Sequence, residues 1–219
     1  MFCVAGITCS AQTLTFDSPN EESQRILDSV KFVLPEFASG IVIFNDGTQS
    51  NGALNINTMT QCVHFIDPDG KDLALVNNNQ VSKVFIKNRL FLNSRYGYIE
   101  VYETTDDVFM GELRSVNFIS EAKEGAFGSK SQTTSIQTLT HIETSAGYRV
   151  DFEKQKNSPY SYKKIPYLHR KGAFVPATKK AFQRYFPSKK EFIEQYMDEH
   201  DLRLNRVDHA RELFKAVSK

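Results

Sequence analysis

A chain of 219 residues, 40% of them hydrophobic, is long enough to bury a core in one domain, or in one domain plus a small appendage. Packing relies on phenyl rings (17 Phe, 9 Tyr, no Trp), and no uncharged apolar run reaches the length of a membrane-spanning helix. The net charge of +1 hides an asymmetry: residues 1–159 carry 13 Lys/Arg against 19 Asp/Glu, whereas residues 160–219 carry 14 against 7.

The first eleven residues are uncharged and small or apolar, and they end in Ser10-Ala11 before a polar chain begins at Gln12. That is the back half of a secretory signal peptide, with cleavage expected before Gln12 and export to the periplasm, the cell surface or the medium. The alternative for Phe2 to Ile7 is a short buried strand. A lipid anchor at Cys9 is disfavoured by the bulky Thr8 before it. Cys3 and Cys9 depart with the leader, so Cys62 stands alone and no internal disulfide forms.

Beyond the leader, Ser18-Pro19-Asn20-Glu21 predicts a helix start, with Ile26, Leu27 and Val30 on one face and an end before Pro35. From Gly40 to about Asn117, short runs of Val, Ile, Phe and Tyr alternate with turn chemistry: Asn45-Asp46-Gly47, Asp67-Pro68-Asp69-Gly70, Asn77-Asn78-Asn79 and Lys87-Asn88. Connections this short force neighbouring antiparallel strands. The alternation from Ile99 to Glu103 predicts a strand with one wet face. A Gly/Ser/Lys/Thr-rich loop over 120–135 precedes strands over 136–143 and 148–153, and 160–175 adds further extended pairs.

The last 45 residues are predicted helical. Thr178 caps a helix bearing Phe182 and Tyr185 that ends at Pro187. Ser188 and Glu191 form a capping box for a second, and Asn205 caps a third carrying Val207, Ala210, Leu213, Phe214 and Val217. The expected fold is mainly β with a C-terminal helical segment (α+β). An antiparallel meander over 12–175 forms a sandwich or partly closed barrel, and 176–219 is helical.

Asp67, Asp69 and Asp72 lie close enough in sequence to converge on Ca2+, but the distal Glu of a calcium loop is missing and a polar hairpin turn explains the same residues. Gly125 to Ser131 fails as a phosphate loop because Ser129, not Gly, precedes Lys130. The five histidines lack zinc spacing, and Cys62 and His64 merely share a strand face. Between Glu153 and Glu191 eleven basic residues and no acid occur, interleaved with aromatics. Lys163, Lys164, Arg170, Lys171, Lys179, Lys180, Arg184, Lys189 and Lys190 are the candidate anionic-surface residues. In an exported protein that pattern suits acidic lipid or polysaccharide rather than nucleic acid, or else it docks on the acidic first half of its own chain.

Leu34-Pro35-Glu36-Phe37, Gly40-Ile41-Val42-Ile43-Phe44-Asn45-Asp46-Gly47, Ala53-Leu54-Asn55-Ile56-Asn57, Lys87-Asn88-Arg89-Leu90-Phe91, the Gly125 to Gly128 loop and Phe186-Pro187-Ser188-Lys189-Lys190 together resemble a group of uncharacterised secreted proteins of Bacteroidota. The resemblance implies export and a β layout with C-terminal helices, and it implies no catalytic residue or cofactor. The expected function is therefore a non-catalytic envelope scaffold that binds a ligand or partner. A glycan or peptide hydrolase using carboxylates or Cys62 and His64, and an anionic lipid or polymer binder using 154–190, are the alternatives. Oligomeric state is left open.

Overall fold

Helix α1 (Glu21–Val30) starts at a capping box in which Asn20 Oδ1 accepts from Ser23 N at 2.7 Å and Ser23 Oγ accepts from Asn20 N at 2.9 Å. The expected cap at Ser18 is displaced to Asn20, whose short amide reaches the same backbone donor. The computed structural model describes residues 13–16, 20–105, 107–118 and 159–219. The leader, the loop over 120–135 with its Gly125 to Ser131 motif, and the strands over 136–153 lie outside the described residues, as do Ser18 and Pro19.

Eleven strands form one antiparallel sheet: β1 (Thr13–Phe16), β2 (Ala38–Phe44), β3 (Gln49–Asn57), β4 (Cys62–Ile66), β5 (Asp72–Ala74), β6 (Val81–Ile86), β7 (Arg89–Ser94), β8 (Gly97–Thr104), β9 (Val108–Phe118), β10 (Tyr160–Arg170) and β11 (Ala173–Pro176). Turn chemistry sets two local meanders, β2 to β5 and β6 to β9, and the long-range pairing of β2 with β6 joins them. Strand β10 lies on β9, and its other edge carries β1 and β11 end to end. Pro166 is tolerated within β10 because its carbonyl accepts from Ala177 N on that outer side, so its missing N–H leaves the β9 ladder intact.

The sheet is not closed, but it curls. Its inner face encloses Val42, Leu54, Ile56, Val63, Val84, Ile86, Phe91 and Tyr98. The curl is fastened by the β3–β4 turn. Thr58 O accepts from Val116 N, and the Gln61 amide donates to Thr58 O and Arg114 O while accepting from Tyr98 N. Gln61 is held in the left-handed region (φ +52°), and it sits so close to Gly97 (φ +122°) that any Cβ there would lie 2.2 Å from the amide oxygen.

Two helical layers cover the rest of the inner face. Leu27 of α1 packs with Val116, Tyr160 and Tyr162. At the opposite end α2 (Lys179–Tyr185), α3 (Lys190–Glu199) and α4 (Val207–Val217) bury Phe182, Ile193, Leu213 and Phe214 against Val108, Met110 and Leu168. Thr178 caps α2 as expected, its hydroxyl accepting from Ala181 N. Ser188 and Asn205 do not cap. A 3₁₀ turn over Pro187–Lys189 carries the chain past Ser188 into α3, and Arg206 stands at the α4 N-cap without a side-chain cap, the start being set by buried Val207.

Candidate functional site

Between the two helical layers the inner face holds the densest charge cluster of the described residues. Glu100 and Glu112 are register partners on β8 and β9, and both are buried. Like charges placed opposite each other repel unless neutralised. Arg89 does this for Glu100 with a two-pronged contact from Nε and Nη2, and Arg114 Nε donates to Glu112. Arg114 then reaches Val33 O at 3.0 Å and Tyr102 OH at 2.9 Å, and Tyr102 OH donates to Glu100 at 3.2 Å. Burial, together with Glu112, pushes the Tyr102 phenol up. Burial opposes the Arg114 charge, but Glu112, Tyr102 and Glu100 outweigh it and hold that guanidinium above its ordinary value.

Both carboxylates are thus engaged by guanidiniums, and Arg114 ties the α1–β2 connection to the sheet through Val33. The cluster overturns one expectation. The wet face predicted for Ile99 to Glu103 is the packed one, since Glu100 turns inward while Ile99 is buried on the other side beneath Tyr96, Ile165 and Phe174. The sequence signal available was the pair of acid–base spacings Arg89…Glu100 and Glu112…Arg114 within apolar strands.

Cys62 and His64 lie on β4, and they do not hydrogen-bond to each other. The Cys62 thiol donates to Thr60 O, and burial pushes its pKa up. His64 Nδ1 lies 2.6 Å from Asp72 Oδ1, with the ring edge against Phe32. Burial nonetheless takes the His64 pKa down, outweighing the pull of Asp72. A protonated thiol beside a neutral imidazole is not an activated nucleophile. The structural work of His64 is to hold the short edge strand β5 onto β4 through Asp72.

The calcium candidates separate in the same way. Asp67 accepts from Lys71 N across the turn, Asp69 faces Lys71 at 3.9 Å, and Asp72 is turned to His64. Among the described residues no three His, Cys, Asp or Glu side chains gather as metal ligands.

The nine basic candidates are distributed over β10, the β10–β11 turn and the C-terminal helical segment. Lys163 and Lys164 are consecutive on β10 and project to opposite faces. Arg170 pairs with Asp107 at 2.6 Å and donates to Tyr185 O, and Lys179 pairs with Glu194 at 3.0 Å. Arg184 stacks on Tyr185 and Lys189 on Phe192, while Lys171 occupies the β10–β11 turn. Lys180 and Lys190 are exposed on the helices. Docking on the acidic first half of the chain is realised at Arg170–Asp107, and again where Arg211 and Lys215 clasp Glu103.

Sequence reading overlooked the outer face of the sheet. One row of register partners crosses it: Ile43, Lys83, Leu92, Ile99, Leu113, Ile165. A parallel row holds Ile41, Phe85 and Leu90, with Ile41 exposed and the other two half-buried. Along β2, β6, β7, β9 and β10 no Asp or Glu takes an outer position, and the charges there are Lys83 and Lys163, with Arg95 stacked over Tyr96 nearby. The chain matches no protein-family model, no curated protein and no solved structure.

Proposed function

We propose that this chain is a non-catalytic binding scaffold of the cell envelope. The observation that carries this reading is the engagement of every reactive group described above in a structural contact: Glu100 and Glu112 by arginines, His64 by Asp72, and Cys62 as a protonated thiol bonded to a backbone carbonyl. Catalysis needs a base within reach of a nucleophile or a leaving group, poised to change protonation state. Guanidinium-clamped carboxylates instead do packing work. Export is supported by the small-residue junction before Gln12.

Two measurements test this. The purified chain, assayed on fluorogenic glycosides and peptides, is expected to give no turnover. Hydrolysis abolished by Glu100→Gln or Cys62→Ala in a folded variant would overturn the non-catalytic reading. Fractionation of the native host with intact-mass analysis is expected to find a chain starting at Gln12 in the envelope. Recovery from cytosol with residues 1–11 attached would overturn the export reading.

A further inference from the structure

We propose that the outer face of the sheet docks on an anionic lipid bilayer. This deepens the envelope-scaffold reading, on which it rests, and gives the scaffold its partner.

Among the described residues the inner face is packed against α1, the C-terminal helices and its own curl, which leaves the outer face as the side to meet a partner. Its least covered part, with Ile41 exposed and Phe85, Leu90 and Leu92 half-buried, is apolar and contiguous across three hydrogen-bonded strands. Contiguous apolar surface rimmed by polar residues is the composition of an interaction site. The charges at the outer positions of β2, β6, β7, β9 and β10 have a single sign. Lys83 lies within the apolar row, and Lys163 lies on the same face of β10. Lys83 Nζ also lies 5.9 Å from the Phe85 ring centre, so this cation sits over an aromatic ring of the patch itself. Beyond the patch, Tyr96 with Arg95 stacked 4.7 Å above its ring forms an aromatic and cationic rim.

Apolar side chains that enter the acyl boundary, with tyrosine and lysine or arginine at headgroup depth, are the composition of an interfacial anchor. A protein partner would be met by charges of both signs, whereas uniform positive charge complements phosphate headgroups. The exposed and half-buried part crosses the three strands β2, β6 and β7, roughly 10 Å from first to last.

The experiment is co-sedimentation of the full chain with phosphatidylcholine vesicles, with and without an equal share of phosphatidylglycerol. Retention is expected only on the anionic vesicles, falling steeply with salt. Lys83→Ala with Lys163→Ala should weaken it roughly 25-fold, about fivefold per cation. Leu90→Asp with Leu92→Asp should weaken it at least tenfold. The lysine pair keeps the test decisive if the aspartate pair fails to fold, which circular dichroism reports. Lys180→Glu with Lys190→Glu, on the helices, should leave binding unchanged. Absence of retention at low salt, equal retention on neutral vesicles, or loss only in the helical variant would overturn the proposal. A cytosolic chain in the fractionation experiment would overturn the envelope reading while vesicle binding stood, so the two failures are distinguishable.

Discussion

Ile99 and Glu100 are adjacent on β8 and equally hidden, yet they belong to two differently built faces. On the inner side Glu100 sits in a network where each member has a charged or phenolic partner, between two helix-backed cores. On the outer side Ile99 is roofed by a few rings, and the apolar surface around it thins out to the exposed Ile41. The contrast teaches where this molecule places its stability and where it leaves freedom to bind. A buried charge network tolerates no missing member, whereas a half-covered apolar face loses little when one side chain changes.

The largest expected effect comes from breaking the inner network. Arg114→Ala strips Glu112 of its partner and frees Val33, and should cost about 3–5 kcal/mol in urea unfolding. A loss below 1 kcal/mol would mean the two faces do not differ as described. Next, Gly97→Ala drives a methyl group into Gln61 and imposes a left-handed conformation on a residue with a Cβ, for about 1–3 kcal/mol, read from the thermal midpoint. Gly172→Ala, also at positive φ but with open space around it, should cost clearly less.

Acid sharpens the comparison further. His64 and His169, the latter stacked on Phe109 and tilted against Phe174, both have pKa values lowered by burial. The unfolded chain takes up these protons first, so stability should fall as pH drops below about 6.5, until the folded pKa values are reached. His64→Gln with His169→Gln should flatten that slope in urea midpoints measured from pH 7.5 to 5.5. Glu103 acts lower on the scale. Burial raises its pKa, but the contacts from Arg211 and Lys215 outweigh that and lower it. Its contribution is present above the unfolded value near 4.3 and is lost as pH falls through the folded one. The smallest effect is expected on the outer face, where Lys83→Ala should move stability by less than about 0.5 kcal/mol.

The hairpins were legible because each is local. Asn45-Asp46-Gly47 and Asp67 to Gly70 sit at the turns they predicted, with Asp46 accepting from Thr48 and Asp67 from Lys71. The helical stripes of α2 and α4 were legible for the same reason, their period being written in consecutive residues. Three caps were misplaced, at Ser18, Ser188 and Asn205, since a cap depends on where tertiary packing starts the helix as much as on the capping residue. Of the nine basic candidates, Lys163 belongs to the outer face now proposed to bind, while Lys83 and Arg95 lay outside the stretch that drew attention.

Taken alone, the amino-acid order determined which residues alternate, where the chain turns, and that helices follow strands. Those outcomes depend on dihedral preference and spacing over a few residues. Which side of each strand became interior, the pairing of β2 with β6, the return of β10 along β9 and the meeting of Glu100 with Arg89 and Arg114 were decided only in three dimensions. Alternation divides side chains into two sets, but burial is assigned by whatever segment packs against one of them, and that segment comes from far along the chain.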